Sequence, residues 1–155
     1  MYYALAVWLI NEERVLLQVR KSFQNRQEVI IHEPIKTGAP EEFVEPVAWR
    51  AAKITLREAF GKGFSISRPV KINERPFKFK RGKREVQAVR EHFAVFFQLQ
   101  ESNQAVNHPY ALLEKKDLPR ISTEKKSLRN ETILMFREDL EILRNEIWCF
   151  QTVLV

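Results

Sequence analysis

Between residues 46 and 60 small and apolar side chains recur at helical spacing, and on both sides of that segment the pattern changes to that of strands. Ala48, Ala51, Ala52, Thr55, Leu56 and Ala59 share one helical face, while Arg50, Lys53, Arg57 and Glu58 point elsewhere. Pro46 suits a first helical turn, where a missing N–H costs little, and Gly61 and Gly63 follow as a stop. One helix set among strands restricts the chain to an α/β class. The rest of the pattern has to supply a sheet for it to cover.

Tyr2 to Ile10 reads as a strand rich in aromatic and aliphatic residues, and Val15 to Val19 as its hairpin partner across Asn11 to Arg14. Residues 22 to 27 read as a polar loop, and Glu28 to Ile31 as a short strand before His32, Glu33 and Pro34. Beyond the helix, Phe64 to Ile72 and Phe77 to Lys80 read as strands, the second strictly alternating, with a turn at Arg81-Gly82-Lys83. Glu85 to Gln100 is a long strand with Phe93, Val95 and Phe97 on one face and Ala94 and Phe96 on the other. Apolar residues on both faces predict a central strand covered by helices on each side. Residues 101 to 127 read as loops with a short helix near Tyr110 to Lys115. A helix from Glu131 to Asn145, capped by Asn130, follows. Trp148 to Val155 is very apolar and predicts a closing strand, a buried segment, or a contact with a second copy or another protein. A length of 155 residues predicts a single domain spanning 1–155.

The order strand, hairpin, strand, Gly/Glu loop, Ala-rich helix, Gly, strands resembles a Nudix domain, with residues 38 to 61 at the family's signature box. Leu56 matches the box's apolar position, Glu58 the first of its paired glutamates and Gly61 its glycine. Ile54 stands where the family has arginine, Thr55 and Ala59 where it has glutamates, and Lys62 where it has an apolar residue. Gly38 and Glu45 match the upstream glycine and glutamate only if each spacing is stretched by one residue. The resemblance implies a Nudix-like α/β/α sandwich, a mixed sheet between helices. In active members it implies magnesium on the box glutamates, holding a diphosphate and helping to form the attacking hydroxide. For this chain that means Glu58 and Glu45 as the catalytic and metal-binding candidates, with Glu41, Glu42, Glu33 or Glu91 in a rebuilt site. Glu58 also reads simply as a solvated helix carboxylate. The family places a basic residue near the substrate phosphates after the second strand, which here is Arg20 or Lys21; a solvated strand end is the other reading. His32 and Glu33 are a further candidate base or ligand pair.

Charge adds a second feature. Net charge is +6, and Lys78, Lys80, Arg81, Lys83 and Arg84 put five positive charges into the seven residues 78–84. That density predicts a phosphate-backbone contact at a hairpin tip, or a solvated one. Phe77 and Phe79 between the lysines are expected in the core, with stacking on bases as the alternative. The single cysteine, Cys149, excludes an internal disulfide and a cysteine-rich zinc site. No apolar run reaches transmembrane length and no basic-then-apolar leader opens the chain, so a soluble cytoplasmic protein is expected, with no membrane partner. Three functions follow. The first is a non-catalytic or weakly catalytic module binding a nucleotide or RNA. The second is an active magnesium-dependent hydrolase of a nucleoside diphosphate derivative. The third is a structural subunit of a larger assembly.

Overall fold

The computed structural model describes residues 2–24, 26–101, 105–124 and 132–149. β1 (Tyr2–Asn11) runs through the middle of the sheet. It pairs parallel with β7 (Arg84–Leu99) on one side. On the other it pairs antiparallel with β4 (Ile35–Pro40) along its first half and with β2 (Arg14–Gln24) at its end. β2 then pairs with β3 (Gln27–Glu33) and β8 (Tyr110–Glu114), and β7 with β5 (Phe64–Ile66) and β6 (Val70–Arg81). Beyond β3 lie the short strands β10 (Ile133–Leu134) and β9 (Ile121–Ser122), both paired parallel.

Alternation along β1 builds a core on each face, because successive strand residues point to opposite sides. Leu5, Val7 and Leu9 pack with Phe93, Val95 and Phe97 under Ala48, Ala52, Leu56 and Ala59 of α1 (Val44–Phe60). Trp8 and Ile10 pack with Val15, Leu17 and Ala94 under Leu140, Ile142, Leu143 and Ile147. The last group belongs to α2 (Arg137–Ile142), which continues as a π-helical turn, Leu143–Ile147. The chain is therefore an α/β/α sandwich around a mixed sheet.

Several expected elements differ. Residues 22–24 extend β2 instead of forming a loop, since β3 supplies partners out to Gln27. Tyr110 to Glu114 is a strand, not a helix: pairing with the edge of β2 satisfies its backbone. The helical turn comes only afterwards, at Lys115–Arg120, where the Asp117 carboxylate accepts the Glu114 N–H at 2.8 Å. Phe64 to Ile72 breaks at Ser67–Pro69, and β6 then runs unbroken from Val70 through Phe77 to Arg81. Ile133 and Leu134, expected in a helix, fill the slot between β3 and β9, and the helix starts only at Arg137. The expected cap Asn130 and residues 150–155 of the expected closing strand lie outside the described residues. Trp148 is buried at the end of the π-turn and is not in a strand.

Acidic residues of α2 and the π-turn grip polar side chains of the sheet, most of them cations. Glu138 accepts from Arg90 at 2.9 Å, Asp139 pairs with Lys36 at 3.0 Å, Glu141 with Arg75, and Glu146 with Asn73 at 3.1 Å. Beneath them His92 is fully buried, its Nδ1 accepting the Trp8 indole N–H at 3.0 Å. Burial pushes the His92 pKa down to about 4. The unfolded chain then takes up this proton more readily than the folded one. Its contribution is present above about pH 6.5 and is lost as pH falls towards about 4. Melting temperatures taken across that window are expected to fall more steeply for the wild type than for His92→Gln. Parallel slopes would show that acid acts elsewhere.

Candidate functional site

The strand directions bring three segments to one end of the sheet. β4 delivers Pro40 beside Tyr2 at the start of β1, so the 3-10 turn Glu41–Phe43 and the first turn of α1 emerge there. The β2–β3 hairpin carrying Arg20 and Lys21 points the same way, because β2 is antiparallel to β1. So does the β6–β7 tip, because β7 is parallel to β1. Gly38, expected in a loop, is instead a strand residue of β4 paired with Ala4. A Cβ there would lie 2.4 Å from the Tyr2 ring, which is a reason for glycine that has nothing to do with phosphate.

On α1, Thr55 and Ala59 lie on the buried face, only 4% and 0% exposed. Glu58 is exposed, and its carboxylate accepts the Tyr110 O–H at 2.5 Å. Burial and that hydrogen bond raise the Tyr110 phenol to about 12, so it stays a donor at any ordinary pH. Tyr110 comes from β8, far along the chain. Nothing local in the sequence couples it to Glu58, and only the pairing of β8 with β2 brings it there. Glu45 stands at the other end of the same helix, about 20 Å from Glu58 at a rise of 1.5 Å per residue. Arg68 holds Glu45 at 2.5 Å and keeps its carboxyl below the usual range.

An open groove of about 970 Å³ follows the first turns of α1, lined by Glu41, Glu45, Trp49, Arg50, Lys53 and Arg68 among others. The Lys53 ammonium lies 5.2 Å over the Trp49 ring. Tyr3 is pushed up by burial and by the neighbouring Glu41. Glu91 pairs with Lys71 at 3.5 Å. His32 and Glu33 are successive residues of β3 and so face opposite sides of the sheet, which breaks them up as a pair. Glu33 is instead buried between Arg20 (2.7 Å) and Lys36 (3.3 Å). Lys21 pairs with Glu28 at 3.4 Å. Among the described residues no group of three or more His, Cys, Asp or Glu side chains is placed to hold a metal ion.

The basic hairpin stands apart. β7 meets β1 only from Arg90 onward, so Arg84 to Val89 and the facing part of β6 form a ribbon about 20 Å long. Gly82, at φ +68°, supplies the backbone conformation that a tight two-residue turn between Arg81 and Arg84 needs. Lys78 is within 3.6 Å of Glu85. Lys80, Arg81, Lys83 and Arg84 are exposed, and no ion pair ties them to another described residue. Phe77 and Phe79, expected in the core, belong to none of the buried apolar clusters and stack on each other instead.

No protein-family model matches this sequence, and no curated protein matches it. Solved structures that resemble it include a hydrolase of the NUDIX family from Clostridium perfringens, 11% identical over 90% of this chain and 91% of that one, TM-score 0.48. Another comes from a structure and function analysis of MutT from Aliivibrio salmonicida and Vibrio cholerae. It is 10% identical over 76% of this chain and 83% of that one, TM-score 0.33. What this chain does has to be read from its own residues. No helix among the described residues is long and apolar enough to cross a membrane.

Proposed function

We propose that this chain is a nucleotide- or RNA-binding module on a Nudix-like scaffold, with little or no hydrolase activity. The observation that carries the binding half is the projecting ribbon, whose Lys80, Arg81, Lys83 and Arg84 are exposed and have no acidic partner among the described residues. Cations held on a strand ribbon and left unpaired suit a string of phosphates.

The catalytic half of the resemblance fits the side chains poorly. Magnesium demands octahedral oxygen ligands and is usually held by carboxylates together with substrate phosphates. At the box this chain presents one carboxylate, Glu58, already accepting from Tyr110. The other two glutamate positions are Thr55 and Ala59, turned into the core. Glu45 is remote from Glu58 and neutralised by Arg68. Such a set is too sparse in oxygen ligands to hold magnesium.

Calorimetric titration of magnesium and manganese, with and without a non-hydrolysable nucleoside diphosphate, tests this reading. Wild type and Glu58→Gln are expected to behave alike, with any nucleotide heat independent of metal. Metal binding that disappears in Glu58→Gln would restore the hydrolase reading and call for a substrate screen.

A further inference from the structure

We propose that one face of the ribbon is a stacking platform for single-stranded nucleic acid, with Phe79 as its open end. This rests on the binding reading above and names the site and the form of the ligand.

In the β6–β7 register Arg75 faces Arg90, Phe77 faces Ala88, Phe79 faces Val86 and Arg81 faces Arg84. Residues directly opposed in an antiparallel pair share a face, as do residues two apart on one strand. One side of the ribbon thus carries an apolar strip closed at both ends by arginines. Within it the rings form a column. The Arg90 guanidinium lies 3.8 Å over the Phe77 ring centroid, and Phe77 and Phe79 lie 5.8 Å apart at an interplanar angle of 25°. The inner end of the column is fixed, since Glu138 of α2 holds Arg90 and Glu141 holds Arg75. Among the described residues the outer end is only partly covered: Phe79 is 38% exposed, with Arg81 and Arg84 beyond it.

A partly exposed flat ring beside cations with no acidic partner among the described residues matches a base attached to a phosphate. Bases in a duplex already stack on their neighbours, so the ring selects unpaired strands. A second copy of the chain would bring the same positive charges together. A membrane is disfavoured because the tip, Arg81 to Arg84, carries no apolar side chain to lead insertion.

The test is fluorescence anisotropy with the full chain and a labelled oligouridine, alongside an RNA duplex of equal length, over a series of salt concentrations. Wild type is expected to bind the single strand more tightly. Phe79→Ala is expected to lose roughly tenfold in affinity for the single strand, with the salt slope unchanged. Phe79→Trp should keep or improve the affinity. Melting curves check that this exposed position leaves the fold intact. Equal affinity of wild type and Phe79→Ala, or equal affinity for strand and duplex, would overturn the platform while leaving charge-driven binding in place. No binding of either RNA by the wild type would overturn the RNA half of the parent reading along with this one, leaving nucleotide binding to the calorimetry above. Binding to phosphatidylserine vesicles but not to RNA would assign the ribbon to a membrane surface.

Discussion

Ala59→Glu, the substitution that would set a second glutamate beside Glu58, is expected to destabilise the protein severely and to create no metal site. Ala59 is fully buried on the face of α1 that packs with Leu56 and Phe60 above Phe97. A longer side chain there overpacks the helix–sheet layer, at a cost of about 1–3 kcal/mol. The carboxylate is also left in an apolar environment with no partner. Together these put the change on the order of 4 kcal/mol or more, a large part of the stability of an ordinary domain. Denaturant unfolding of the variant beside Glu58→Gln measures it. Glu58 is exposed, so that control is expected to move stability by about 0.5–1.5 kcal/mol through the weakened Tyr110 hydrogen bond. A stable Ala59→Glu protein that binds magnesium would mean that this face of α1 opens to a cleft, and the non-catalytic reading would fail.

The second large effect concerns the ribbon. The triple reversal Lys80→Glu, Arg81→Glu and Lys83→Glu is expected to lower RNA affinity by more than about 100-fold near physiological salt. Each phosphate neutralised on a single strand contributes about 0.7 to the slope of log affinity against log salt. Losing three such contacts should flatten that slope by about 2. All three residues are exposed and unpaired among the described residues, so the melting temperature should hardly change. A slope equal to that of the wild type would show that these charges are merely solvated. The triple variant and Phe79→Ala separate two physical contributions. The first removes long-range attraction, the second a short-range stacking surface.

Trp49 and Lys53 form a second aromatic–cation pair, in the groove along α1. It lies at the same end of the sheet as the ribbon.

The two-faced sandwich was legible in the chain because periodicity is a local signal. The Ala48–Ala59 stripe repeats at helical spacing, and Tyr2 to Ile10 and Phe93 to Phe97 are short runs rich in β-branched, aliphatic and aromatic residues, apolar on both faces as buried strands are. The tight turn at Gly82 and the basic tip were legible for the same reason. Tertiary structure alone decided the rest, since it depends on partners distant in sequence. Tyr110 to Glu114 became a strand because β2 offered a free edge, and Ile133–Leu134 because β3 and β9 left a gap. The same pairing carried the Tyr110 hydroxyl to Glu58. Phe77 and Phe79 alternate as core residues do, but alternation shows only that two side chains share a face, not that any layer covers it. Among the described residues no buried apolar cluster takes in either ring, and Phe79 stays 38% exposed.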